Sequence, residues 1–133
     1  MKTVRTSLPS LVSNIKGDRF AGYNPAYSNF ILACEWIRNN TPEDALILCR
    51  KPRLAWYFSG RKVVEYPYAE PPKIIEFIDS AGVDFVIVDR MTYSTGYILI
   101  PAINQYPERF EIKYVTDNEP KTFVLKVLPK TVK

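Results

Sequence analysis

The chain has 133 residues, of which 47% are hydrophobic and 24% are charged, with two cysteines and no histidine. This length fits one domain with a sizeable core. The lack of histidine excludes Ser-His-Asp and Cys-His catalytic sites, and two cysteines alone cannot complete a structural zinc site. No apolar run reaches the roughly 18–20 residues that span a bilayer, so we expect the chain to be soluble as given.

The net charge of +4 is distributed unevenly along the sequence. Residues 1–62 hold ten Lys/Arg against four Asp/Glu, whereas residues 63–133 hold eight against ten, so the two parts carry +6 and −2. A basic part can attract nucleic acid, anionic lipid headgroups or phosphorylated ligands. It can equally be a solvated face without a partner.

The first predicted element is a helix that follows a lead-in without sustained periodicity. Residues 1–27 contain scattered Pro and Gly, and we interpret them as a lead-in or tether over the surface, followed by a single α/β domain at residues 28–133. Ser28 is the predicted N-cap, and the helix should end near Asn40 because Thr41 precedes a proline. Its apolar positions at helical spacing are Phe30, Ile31, Cys34 and Ile37.

Two strands and a short helix come next. The continuous apolar run at residues 45–49 is typical of a strand covered on both faces. Residues 52–59 begin with proline and are followed by Gly60, which predicts a short helix with a glycine C-cap. Residues 62–66 form the second predicted strand. A disulfide between Cys34 and Cys49 is possible if the first helix packs on the first strand, although nothing in their spacing requires it.

The remaining sequence completes an alternating pattern of helices and strands. A helix that begins at Pro71 and Pro72 should end at Gly82, and residues 84–88 form the clearest parallel-type strand. A fourth helix is predicted over residues 96–106, with Pro101 in its first turns or kinking it.

The last two strands complete the predicted fold. Residues 110–116 and 122–128 alternate in polarity, which predicts an antiparallel hairpin. We therefore predict an α/β fold, specifically a three-layer α/β/α sandwich with a mostly parallel, Rossmann-like sheet and a C-terminal antiparallel hairpin.

Charged and phenolic residues follow the three strands that this pattern predicts to be parallel. The carboxyl ends of parallel strands share one rim of a sheet, where open α/β sheets bind ligands. Arginine suits phosphate or carboxylate, and tyrosine offers a stacking face for a sugar or a base. We therefore predict an anion or sugar-phosphate site, with these candidate residues: Arg50, Lys51, Tyr66, Tyr68, Asp89 and Arg90.

Other interpretations of the rim remain open. Asp89 could pair with Arg50 or Arg90 and simply neutralise the rim, since ion-pair networks resemble sites. A small enzyme could use Glu65, Glu70 or Asp89 as acids, but nothing fixes their separation. We assign no catalytic residue, no metal site and no cofactor. The glycine pattern of a phosphate-binding loop is absent, and no known nucleic-acid motif is present, so no nucleic-acid partner is expected.

A family resemblance covers about residues 27–128. Its segments read WIRNNTPEDALILCRKPRLAWYFSGRKVVEYP, DFVIVDR and YILIPAINQYPERFEIKYV. Its matching elements are Trp36-Ile37-Arg38, Thr41-Pro42, Arg50-Lys51-Pro52, Ser59-Gly60-Arg61 and the strand from Asp84 to Asp89. The chain resembles the soluble C-terminal domain of bacterial multi-spanning glycosyltransferases of the GT-C type, the dolichyl-phosphate-mannose protein mannosyltransferase-like enzymes.

The resemblance implies a function in a larger membrane protein. It implies a parent enzyme that uses a polyprenyl-phosphate sugar donor, and a location for this domain on the extracytoplasmic (periplasmic) face. The catalytic acid of such enzymes lies between transmembrane helices, so the domain itself is expected to be non-catalytic. The resemblance also implies that Met1 begins a fragment and that the lead-in at residues 1–27 is membrane-proximal. Its expected partners are the transmembrane part of the parent chain and a polyprenyl-phosphate sugar or glycan acceptor. The alternative is a stand-alone module that binds a small anion or sugar phosphate.

Overall fold

The structure, a computed structural model, describes residues 24–130. These residues form a mixed α/β fold with four helices and a five-stranded sheet. The helices are α1 (Pro25–Asn40), α2 (Pro52–Ser59), α3 (Pro71–Ala81) and α4 (Ile100–Gln105). The strands are β1 (Leu46–Leu48), β2 (Lys62–Val64), β3 (Phe85–Val88), β4 (Phe110–Val115) and β5 (Phe123–Val127).

Helix α1 begins earlier than the sequence pattern predicted. Its N-cap is Asn24, whose side chain accepts a hydrogen bond of 3.0 Å from the backbone N–H of Tyr27, so Ser28 as N-cap was wrong. Asparagine followed by proline at the first helical position is a strong start signal, and it outweighs a serine four residues later. Residues 25–27 of the predicted lead-in therefore belong to α1, whereas residues 1–23 lie outside the described residues.

Local start and stop signals set the bounds of α2 and α3. Both helices have proline in their first turn, and both end at a glycine C-cap in the left-handed conformation, with φ of 71° at Gly60 and 78° at Gly82. A residue with a Cβ is strained at such φ values. The predicted ends of these two helices are confirmed.

The fourth helical segment contains a wide turn. Residues Thr95–Leu99 form a π-helix in which the Ile100 N–H donates to the Thr95 carbonyl, and α4 follows directly. Pro101 comes immediately after this turn and has no N–H to donate to it, which accounts for the change in helical pitch at the predicted position.

The sheet has the strand order β2-β1-β3-β5-β4 and is mixed. Strands β2, β1 and β3 are parallel, whereas β5 runs antiparallel to both β3 and β4. The sheet is therefore not mostly parallel, because two of its four pairings are antiparallel. The short connection between β4 and β5 permits only antiparallel pairing, and β5 covers the edge of β3 that β1 leaves free.

Two hydrophobic clusters lie against the sheet, and alternate residues of β3 belong to different clusters. Phe85 and Ile87 pack with buried residues of α1 and α2, whereas Val86 and Val88 pack with those of α3 and α4. This alternation follows from the two-residue period of a strand. Within residues 24–130, no helix combines the length and apolar character that crossing a membrane requires.

Candidate functional site

The ends of β1 and β3 define the candidate site. The two strands are parallel neighbours, and the chain leaves them for helices that belong to different hydrophobic clusters, α2 after β1 and α4 after β3. Open α/β sheets place ligand sites outside the carboxyl ends of strands where consecutive connections diverge in this way. The loops that begin at Arg50 and at Asp89 flank this position.

Arg50 is the centre of one group of side chains. Its Nη1 donates a 2.9 Å hydrogen bond to Oε1 of Glu65, and its Nη2 donates to the carbonyl oxygen of Tyr66. Its Cζ lies 4.5 Å from the ring centroid of Tyr66 and 4.3 Å from that of Tyr68, within cation–π range of both. Its Nε is buried and has no hydrogen-bond partner among the described residues.

Of the two predicted rim tyrosines, only one is accessible. Tyr66 is buried, and its hydroxyl is hydrogen-bonded to the Ser94 hydroxyl at 2.9 Å. Its ring therefore supports Arg50 from inside and offers no stacking face to a ligand, contrary to the prediction. Tyr68 is 65% exposed and does present its ring to solvent.

Asp89 is a buried carboxylate held by hydroxyl groups. It is 1% exposed and accepts hydrogen bonds from Oγ1 of Thr95 at 2.6 Å and from Oγ1 of Thr92 at 3.0 Å. Asp89 forms no ion pair with Arg50 or Arg90, so the predicted alternative of a neutralising pair at the rim is wrong. Burial raises the pKa of Asp89, and the two threonine hydrogen bonds and the charge of Lys51 oppose that effect.

The two remaining predicted cations differ in position. Lys51 is half-buried at the start of α2, close enough to act electrostatically on Asp89, whereas Arg90 is exposed. Neither makes an ion pair with any residue in the described part of the chain. The six predicted residues thus form an Arg50–Tyr66–Tyr68 group and an Asp89–Lys51 group, with Arg90 apart.

Residues of the loop after β3 complete the site and were missed from the sequence. Ser94 links the two groups, because it bonds Tyr66 and directly precedes Thr95, which bonds Asp89. Tyr93 and Tyr97 are 88% and 55% exposed, with ring centroids 5.5 Å apart. The signal available in the sequence was the run of Thr, Ser and Tyr directly after a strand with a charged end.

We expect Asp89→Asn to raise the free energy of unfolding at pH 7. The raised pKa means that the folded state disfavours the carboxylate, so the charge costs stability above the folded pKa. Below the ordinary aspartate value of about 3.9 both states are protonated and this cost vanishes. Urea unfolding measured from pH 3 to 7 should therefore show that the difference in the free energy of unfolding between Asp89→Asn and wild type increases with pH. A variant less stable than wild type at pH 7 would contradict this account.

A second polar cluster joins the ends of α1 and α2. Arg61 is 7% exposed and donates to the Arg38 and Thr41 carbonyls at 3.0 and 2.9 Å, and to Oγ1 of Thr41 at 3.1 Å. Its backbone N–H donates to the Ser59 hydroxyl at 3.1 Å. Arg38 in turn donates to the Phe58 carbonyl at 3.2 Å. This cluster ties together two chain segments about twenty residues apart.

The two cysteines are structural rather than reactive. Cys34 and Cys49 are free, buried and part of the same hydrophobic cluster. Burial raises the pKa of Cys49 to about 12 and also raises that of Cys34. A thiol that stays protonated is a poor nucleophile. Within residues 24–130, no group of three or more His, Cys, Asp or Glu could hold a metal ion.

No protein-family model matches the chain, and no curated protein matches it.

Proposed function

We propose that this chain is a non-catalytic accessory domain of a membrane glycosyltransferase of the GT-C type. In this proposal the domain lies on the extracytoplasmic face, follows the transmembrane helices, and positions a polyprenyl-phosphate sugar donor or a glycan acceptor. The proposal rests on the segments quoted for the resemblance, and it identifies the transmembrane part of the parent chain as the partner.

The observation that carries the proposal is the contact between distant parts of those segments. Arg38 and Thr41 come from the first quoted motifs, Ser59 and Arg61 come from a later one, and all four meet in one hydrogen-bonded cluster. Residues that hydrogen-bond to one another restrict which residue types can occupy each position. Together they are a more specific signature of one kind of domain than the same residues scattered over a surface. This mutual dependence supports assigning the motifs to one kind of domain.

The finer description of the fold belongs to the same proposal. We assign the domain a three-layer α/β/α architecture, Rossmann-like in its β1–α2–β2–α3–β3 part, with β4 and β5 as a C-terminal hairpin. This assignment is supported by the two hydrophobic clusters, which take their helical residues from different helices. It is also supported by the antiparallel pairing of consecutive strands β4 and β5.

The decisive experiment begins with the gene around the codon for Met1. We expect an open reading frame that encodes transmembrane helices upstream of this domain. In membranes that carry the full protein, deletion of residues 24–130 should lower transfer of labelled sugar from a polyprenyl-phosphate donor. Tyr68→Ala should lower transfer as well, whereas Tyr57→Ala, an equally exposed tyrosine on α2, should leave it unchanged. A reading frame without membrane-spanning helices would refute the proposal.

A second candidate function is a stand-alone module that binds a small anion or sugar phosphate. It is favoured by the positive charges of Lys51 and Arg90 at the ends of adjacent parallel strands, which form no ion pair with residues 24–130. A ligand at about 100 times its Kd adds about 2.7 kcal/mol to the free energy of unfolding. Sugar phosphates should therefore raise the Tm of the wild type, and Lys51→Gln with Arg90→Gln should abolish the rise. Lys73→Gln, at an exposed lysine of α3, is the control. A Tm unmoved by any sugar phosphate would exclude this function.

A further inference from the structure

A groove of about 430 Å³ lies between α2 and the β2 edge of the sheet. Leu46, Val63 and Val64 line it from the strands, and Pro52 and Trp56 line it from the helix. β2 is the last strand on this side, and its outer edge pairs with no described strand. An unpaired strand edge presents free N–H and C=O groups that another extended chain can use.

Trp56 is an exposed aromatic side chain in a fixed position beside this groove. It is 61% exposed, yet the helix that carries it is held in place by buried Ala55 and by Leu54 and Phe58, which pack on the core. A tryptophan on a rigid element at the edge of an apolar groove is the usual form of a binding anchor, because it can bury a large area at little cost in conformational entropy.

The charges at the groove identify the kind of partner. Its two charged lining residues, Arg53 and Lys62, are both positive, and none of the acidic residues between positions 24 and 130 lines it. Self-association through this edge would bring the same cations together across a two-fold axis, where like charges repel. A segment with negative charge gains attraction at both positions instead.

We propose that this groove binds an extended acidic peptide segment of another protein, which adds a strand alongside β2 and places an apolar side chain against Trp56. Backbone hydrogen bonds to the strand edge supply affinity in this mode of recognition, and alternate side chains of the peptide supply specificity. Because β2 has only three residues, it offers few backbone hydrogen bonds. Trp56, Arg53 and Lys62 therefore supply much of the binding free energy. The site is separate from the strand-end rim and does not rest on the function proposed for it.

The test uses the full chain and a short blocked peptide of alternating glutamate and valine. Trp56 is one of two tryptophans, and the other, Trp36, stacks on Tyr114 at 5.7 Å between ring centroids, so a change in emission on binding reports Trp56. The acidic peptide should bind about tenfold more tightly than its lysine–valine counterpart, and added salt should reduce the difference. N-methylation of its valines, which removes strand hydrogen bonds, should weaken binding by a similar factor.

Matched variants complete the test, with calorimetry as the readout where tryptophan is changed. Trp56→Ala and the double change Arg53→Glu with Lys62→Glu should each weaken binding of the acidic peptide about tenfold. Tyr93→Ala, an exposed aromatic outside this groove, should leave binding unchanged. Equal affinity for both peptides, no binding of either, or affinity unaffected by Trp56→Ala would overturn the proposal. A dimer that Trp56→Ala disrupts would assign the groove to a second copy, and Trp56-dependent binding to anionic vesicles without peptide binding would assign it to a lipid surface.

Discussion

Replacing Arg61 by methionine should lower the free energy of unfolding by about 3–5 kcal/mol, and therefore lower the Tm by roughly 10–20 °C. Methionine keeps much of the volume but removes every hydrogen bond of the guanidinium. The carbonyls of Arg38 and Thr41 then lose the donor that the buried Arg61 side chain supplies to them in a part-buried position. A buried acceptor without a partner costs about 1–3 kcal/mol, and hydrogen bonds from charged donors lie at the upper end of that range.

The position of Arg61 explains why the effect should be so large. The last carbonyls of a helix lack partners within the helix and form the negative end of its dipole. Arg61 supplies both donors and positive charge to the end of α1, and its Nη1 also bonds the Ser59 carbonyl at the end of α2 at 3.4 Å. Loss of this side chain therefore loosens two helix ends that pack on the same face of the sheet.

Urea unfolding followed by circular dichroism measures this effect. Arg61→Lys should lower the free energy of unfolding less than Arg61→Met does, because lysine keeps the positive charge. It should still be less stable than wild type, because the ammonium group cannot reach all of the acceptors that the planar guanidinium reaches. Arg53→Met on the exposed face of α2 is the matched control and should stay within about 0.5 kcal/mol of wild type. Equal stability of Arg61→Met and Arg53→Met would show that the cluster does not hold the helix ends.

The second large effect is expected at the ion pair between Arg109 and Asp79. The Arg109 side chain is 7% exposed and donates to both carboxylate oxygens of Asp79, at 2.6 and 3.2 Å, and to the Leu128 carbonyl at 2.9 Å. These bonds connect α3 to the turn before β4 and to the chain after β5. Arg109→Met should lower the free energy of unfolding by about 2 kcal/mol, because it leaves the half-exposed Asp79 carboxylate without its ion-pair partner and the part-buried Leu128 carbonyl without a donor.

The pH dependence of this pair should be opposite to that of Asp89. Hydrogen bonding to Arg109 holds the pKa of Asp79 below its ordinary value, so the pair stabilises the fold above the unfolded pKa of about 3.9. That contribution is lost as the pH falls below this value through the folded pKa. Asp79→Asn should therefore have a lower free energy of unfolding than wild type at pH 7. The difference between the two should decrease as the pH falls below about 4.

A neighbouring ion pair on α3 provides the control for this prediction. Lys73 and Glu76 lie 3.4 Å apart with both side chains about 70% exposed, so Glu76→Gln should change the free energy of unfolding by less than about 0.5 kcal/mol. An Asp79→Asn variant that matches Glu76→Gln at pH 7 would show that the Arg109 bridge contributes no more than a surface pair.

Several features of the fold were predictable because they depend on neighbouring residues. Proline at the start and glycine at the end define α2 and α3 through backbone sterics alone, which operate within a few residues. The run at residues 85–88 predicts a strand covered on both faces, and all four of its residues are buried. By contrast, the start of α1 was predicted at Ser28, whereas the helix is capped by the side chain of Asn24.

The candidate site was only partly predictable. The sequence places Arg50, Tyr66 and Asp89 at strand ends, because a strand is followed by its own loop. It does not reveal that Tyr66 turns inward to Ser94, since that bond joins two loops that only the sheet brings together. The bonds of Asp89 to Thr92 and Thr95 lie within one loop, three and six residues along the chain, so the sequence did carry a signal for them. Glu65, by contrast, is recognisable as the partner of Arg50 only after β1 and β2 are aligned.

The sequence by itself determined the alternation of helices and strands, the helix ends at glycine, and the basic character of the chain up to the second strand. The tertiary structure decided the order and direction of the strands, the exposure of Tyr68, Tyr93 and Trp56, and the pairing of the charges. The physical reason is the separation along the sequence of the residues that interact. Helix caps and hydrophobic periodicity depend on residues within one or two turns of the chain. Burial and ion pairing depend instead on which distant segments share a face of the sheet.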